Sequence, residues 1–152
     1  MIQEYARLAR PYFVMLAIVT VGRWLMGTAF EVPYDKGTHL LSIVVLTLFA
    51  SIFSAAFTRR WLGWRLPQAA GFAMFMALVS QAVILLSTFV SYAFDIPSYF
   101  REPMALNRQT EAIGFGAAMG FRAVGVVVNT MINGITGALG WALGGLLPAR
   151  ER

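Results

Sequence analysis

The chain has 152 residues, of which 59% are apolar and 12% charged, with a mean hydropathy of +0.68. A charged share about half of the roughly 25% usual in soluble domains excludes disorder, a coiled coil and an ordinary soluble domain. Twelve basic against seven acidic residues give a net charge of +5; the lack of cysteine excludes disulfide scaffolds and thiolate chemistry, and a single histidine leaves no histidine-rich metal site.

Four apolar stretches follow in chain order: 11–30, broken by Arg23; 38–58 and 67–94, both uncharged apart from the sole histidine; and 112–147, containing only Arg122. A helix needs about 20 residues to cross a hydrocarbon core of about 30 Å. Lipid cannot satisfy free backbone groups, so helices are the simple solution, and the runs lack the strict alternation of barrel strands. The expected fold is an all-α membrane protein, one domain over 1–152 with four transmembrane helices. The first stretch also has the outline of a signal peptide, with Arg7 and Arg10 before it and Gly27-Thr28-Ala29 near its end. Glu4 argues against that, and a retained first span is expected.

The connections are short. Pro33 and Gly37 suit a turn after the first span, and 59–66 links the second span to the third. The long connection, 95–111, carries Pro97 and Pro103, and Ser98 to Glu102 between them is expected to lie along the interface. The last stretch is 36 residues, about 54 Å as one helix. That excess predicts a short outer-side helical piece, 111–121, before a span starting at Ala123.

Basic residues set orientation. Arg7, Arg10, Arg59, Arg60, Arg65, Arg150 and Arg152 fall on one side, against Lys36, Arg101 and Arg108 on the other. Seven against three places both termini in the cytoplasm. The basic residues flank apolar runs rather than clustering on a solvated face, so the charge reads as topology and not as nucleic-acid binding. Arg59, Arg60, Trp61, Trp64 and Arg65 are the expected anchors at the inner interface.

Arg23 and Arg122 are the candidate binding residues. A central Arg costs about 2.5–3.5 kcal/mol on the insertion scale, against about 0.3–0.6 kcal/mol returned by each Leu, Ile, Phe or Val. Arg23 is off-centre, so its side chain can snorkel and pair with Glu31 or Asp95. The sharper expectation is an anion or lipid-headgroup site, with Arg122 at a similar depth and a bound phospholipid as its ligand.

Gln81, Gly125, Asn129, Asn133, Thr136, Gly140 and Gly144 form the other constellation. The six on the last stretch fall at spacings of three or four and share a helix face. Small residues let helices approach and amides bond across them, so the face reads as helix packing, with a polar path as the alternative. His39, the sole histidine, is a candidate axial ligand for a haem or chlorophyll that a second chain would complete. No acidic residue lies in any span, and no hydrolase, P-loop or metalloprotease motif occurs. The expectation is a non-catalytic membrane subunit without an intrinsic cofactor. Its partners would be lipids and other membrane subunits of a bacterial inner-membrane assembly, an energy-transducing complex being one candidate. The alternative is a small homo-oligomeric channel or transporter with an arginine-lined outer mouth.

Overall fold

A computed structural model describes residues 1–37, 41–108 and 110–146. It is helical, with no strand among the described residues. The elements are α1 (Ile2–Leu8), α2 (Arg10–Thr28), α3 (Tyr34–Gly37), α4 (Ile43–Leu62), α5 (Leu66–Ala93), α6 (Pro103–Asn107) and α7 (Phe115–Gly144). Four of them, α2, α4, α5 and α7, are long and apolar enough to cross a membrane, and the chain is an integral membrane protein by that measure. His39, Leu147, Arg150 and Arg152 lie outside the described residues.

Helix ends follow local chemistry. Ser42 caps α4, its hydroxyl accepting from the Val45 N–H at 3.3 Å, so the second span starts five residues later than the apolar run. At its other end α4 continues to Leu62, and Arg59 and Arg60 belong to its last turn, where cations oppose the helix dipole. Gly63 stops it in the left-handed conformation with φ 68°, and the Trp64 N–H returns to the Thr58 carbonyl at 3.1 Å. The connection to α5 is therefore three residues, with Gln68 Oε1 accepting from the Arg65 N–H at 2.9 Å.

The fourth stretch differs from expectation. α7 runs unbroken over 30 residues from Phe115, and no separate piece covers 111–121. Past its first turn each N–H of a continuous helix keeps an intrahelical acceptor, which a break near Arg122 would forfeit inside lipid. The short helix of this region is α6, placed after Pro103.

α7 packs against both α5 and α4, and α4 also touches α5. α2 joins this trio through buried Tyr12, Leu16, Val19 and Arg23. The Tyr12 hydroxyl bonds Thr47 Oγ1 at 2.9 Å and the Met76 carbonyl at 3.3 Å, linking α2 to α4 and α5. α1 is fixed by Tyr5, whose hydroxyl donates to the Gln68 carbonyl at 2.9 Å and whose ring meets Trp64 and Phe72. The bundle has two ends: a loop end, with α3, α6 and the 95–102 segment, and a terminal end, with α1, the α4–α5 turn and the end of α7.

Candidate functional site

At the loop end two arginines converge. Arg23 lies five residues before the end of α2 and is 7% exposed. Its guanidinium carbon sits 5.4 Å from the Phe100 ring centroid, 5.6 Å from Tyr99 and 5.8 Å from Tyr34, and Nη1 donates to the Leu41 carbonyl at 2.9 Å. Arg122 comes from α7. Its Nε donates to Thr88 Oγ1 at 2.9 Å, Nη2 to the Phe100 carbonyl at 3.0 Å and Nη1 to the Ala105 carbonyl at 3.3 Å. Both arginines line one cavity of about 100 Å³. Arg23 thus turns inward rather than snorkelling, because aromatic faces and a carbonyl receive it there. Neither Glu31 nor Asp95 pairs with it. Asp95 pairs instead with Arg101, the one ion pair among the described residues.

The segment that closes this end also departs from expectation. Ser98, Tyr99 and Phe100 are buried, at 6%, 3% and 1% exposed, so they form a plug in the bundle mouth instead of a strip along the interface. The side-chain hydroxyls taken inward find partners. Ser98 Oγ bonds Ser91 Oγ at 2.6 Å, and the Phe100 carbonyl accepts from Thr88 Oγ1 at 3.2 Å as well as from Arg122. The Tyr99 hydroxyl donates to the Val32 carbonyl at 2.8 Å. Burial pushes that phenol above its ordinary pKa, with the charge on Arg23 opposing, and it acts as a neutral donor. Gly27 makes room: a Cβ there would stand 2.9 Å from the Tyr99 nitrogen. The sequence signal for the plug is Ser-Tyr-Phe between two prolines, an apolar aromatic pair inside the polar loop.

A polar seam runs between the helices below. Asn133 is 1% exposed, and its Oδ1 accepts from Ser51 Oγ on α4 at 2.7 Å. Its Nδ2 donates to the Asn129 carbonyl at 2.8 Å, as Asn129 Nδ2 does to the Gly125 carbonyl at 2.9 Å. Thr136 Oγ1 donates to the Asn133 carbonyl at 3.1 Å. Gln81 of α5 is buried against the same stretch: a Cβ on Gly125 would lie 3.7 Å from its Oε1. Thr130 Oγ1 is buried without a hydrogen-bond partner among the described residues. Toward the terminal end the seam narrows to backbone contact. A Cβ on Gly140 would stand 2.8 Å from Ile52 Cα, and one on Gly144 2.6 Å from the Ala56 carbonyl oxygen. The face shared by these residues is therefore spent inside the chain, on α4 and α5.

At the terminal end Arg59 Nη1 donates to the Trp141 and Ala142 carbonyls at 2.8 and 3.3 Å, and its guanidinium lies 3.8 Å from the Trp141 ring centroid. Both carbonyls lie in the last turn of α7, where intrahelical donors run out, and that of Ala142 also accepts from the Gly145 N–H at 3.1 Å. Trp141 Nε1 in turn donates to the Trp64 carbonyl at 2.8 Å. Trp64 is buried under Tyr5, whereas Trp61 is exposed and packs on Phe57 at 4.8 Å. Arg60 is half-buried and Arg65 exposed. Arg59 and Trp64 therefore tie helices together, and of the five basic and aromatic positions only Trp61 and Arg65 stand free at the surface. Tyr5, Thr88 and Phe100 hold the two ends, and sequence reasoning missed them because a single aromatic or hydroxyl in an apolar run carries no periodic mark.

Among the described residues no three histidine, aspartate or glutamate side chains come together in a metal-binding group. No family model matches the chain, and no curated protein or solved structure matches it either.

Proposed function

We propose that this integral membrane protein is a non-catalytic subunit that docks laterally onto another membrane protein in a bacterial inner membrane, with both termini in the cytoplasm. The observation that carries the reading is the loop-end half of α7. Gly116 and Gly120 are four apart on one face, and a Cβ on either would meet nothing within 4 Å beyond its own helix among the described residues. In the same helix Gly137, Gly140 and Gly144 each press on a neighbour. Without a hydrophobic drive between helices in lipid, close backbone approach at small residues is what brings them together. Gly116 and Gly120 have the first half of such a seam and no partner among the described residues, while the face first read as the docking face is occupied by α4 and α5.

The polar-path alternative gains no support. Asn129 and Asn133, which would line it, bond within the chain, and α4 seals the seam at Gly140 and Gly144. Orientation rests on the basic-residue count, seven flanking one side against three.

The test is purification in mild detergent, comparing the wild-type chain with a Gly116→Leu, Gly120→Leu double variant. The wild type is expected to hold a different membrane chain at fixed stoichiometry, and the variant to lose it while melting like the wild type. Recovery of the wild type only as copies of itself would overturn the reading. Orientation is checked separately by cysteines at the exposed positions Trp61 and Glu111. They should label from opposite faces of the membrane, Glu111→Cys from outside, and labelling of both from one face would defeat the four-span arrangement.

A further inference from the structure

We infer that the loop-end cavity binds one phosphate-class anion between Arg23, Arg122 and the first turn of α4, either the phosphodiester of a membrane lipid or free phosphate. The cavity holds two guanidinium groups and no counter-charge: no carboxylate bonds either arginine among the described residues. Two like charges taken out of water are costly unless a partner neutralises them. The rings and carbonyls around them soften that cost but carry no negative charge.

The geometry suits an anion with diverging oxygens. Arg122 directs three N–H groups at Thr88, Phe100 and Ala105, and a guanidinium has five. Arg23, more than nine-tenths buried, makes one hydrogen bond to a described residue, the Leu41 carbonyl. The unspent donors of the two forks come from different helices, α2 and α7. A tetrahedral group can accept from both at once, whereas a carboxylate offers two oxygens in one plane. A third element completes the site. Ser42, Ile43 and Val44 line the cavity as the cap and first two residues of the 20-residue α4. The Ser42 oxygens take the N–H groups of Val45 and Leu46, so those of Ile43 and Val44 have no intrahelical acceptor. That helix end adds a positive dipole directed at an anion.

Size and depth agree. About 10–15 Å³ of such volume holds one water, so a cavity of about 100 Å³ admits a phosphate group but not a whole lipid. Arg23 is five residues from the end of α2, about 7.5 Å along the axis, a depth that a headgroup phosphate can reach. Val44, 38% exposed, gives the cavity a side toward lipid.

This inference needs no partner chain, and its test uses the full chain alone. Protein purified in a neutral detergent is weighed by native mass spectrometry for retained phospholipid. Delipidated protein is then melted across a series of inorganic phosphate concentrations at constant ionic strength. One retained phospholipid per chain, lost in Arg122→Gln, assigns the headgroup source. A saturable rise in melting temperature, with about tenfold weaker phosphate affinity in Arg122→Gln, assigns the free ion. Neither retention nor response in the wild type overturns the proposal. Val44→Glu guards against a variant that fails to fold, because it supplies a negative charge at the cavity from within the chain. It is expected to abolish both retention and response, and a Val44→Glu protein that keeps them at wild-type strength also overturns the proposal.

Discussion

Replacing Gly140 and Gly144 together by leucine is expected to destroy the α4–α7 seam and with it the fold. A Cβ alone would stand 2.8 Å from Ile52 Cα and 2.8 Å from Ala56 Cα, and both obstacles are backbone, which cannot rotate away. Overpacking costs about 1–3 kcal/mol per site and more when backbone must move. Leaving glycine in a helix returns at most about 1 kcal/mol per residue in propensity, so the clash prevails. The double variant should lose at least about 3 kcal/mol, a large share of the stability of a small domain. The internal control is the Gly116→Leu, Gly120→Leu variant, made in the same helix where there is open space. Unfolding midpoints by circular dichroism in mixed micelles should fall steeply for the first pair and hold for the second. Equal midpoints would mean that α4 and α7 do not meet at these glycines.

Phe100→Ala is expected to cost about 3 kcal/mol, the lower part of the range for a buried phenylalanine. Phe100 is 1% exposed, its ring centroid is 5.6 Å from that of Trp24, and it faces the Arg23 guanidinium. Its carbonyl holds Thr88 and Arg122. Truncation removes the ring contacts and leaves the backbone bonds, so the loss should concentrate at the loop end. Hydrogen exchange should show faster exchange in 95–102 and in the last turn of α2, with the α4–α7 seam unchanged. Uniform acceleration across α4, α5 and α7 would show instead that the plug supports the whole bundle.

The four long helices are legible in the sequence because lipid imposes the simplest rule, a long apolar run for each crossing. Their ends are less so. The start of α4 at Ile43 depends on the Ser42 hydroxyl, and its finish depends on a left-handed Gly63 rather than on the arginines that interrupt the apolar run. The unbroken α7 went unread because length alone suggested a division, while Gly137, Gly140 and Gly144 serve in it as contact points. At the site, the similar depth of Arg23 and Arg122 could be counted in residues, but their shared cavity depends on which way α2 and α7 face, and spacing within one helix does not fix its rotation against another. The inward fold of Ser98–Phe100 is a tertiary event, sealed by Thr88 and Ser91 of α5 and by Gly27 of α2, two separate stretches of sequence.

The four crossing helices are unequal. α2 and α4, with 19 and 20 residues, are about 28 and 30 Å long, close to the hydrocarbon thickness. α5 and α7, with 28 and 30 residues, reach about 42 and 45 Å and are packed together along their length. If the short pair stands upright, the long pair must lean or push its ends into the headgroups; if the long pair is fully submerged, the short pair is drawn below the surface. Helices of two lengths therefore match one bilayer differently: α2 and α4 suit it upright, and α5 and α7 suit it by tilting. Because the two pairs are packed into one bundle, the angle that suits the long pair constrains the short pair, and the thickness of the surrounding bilayer acts on the packing of all four helices together.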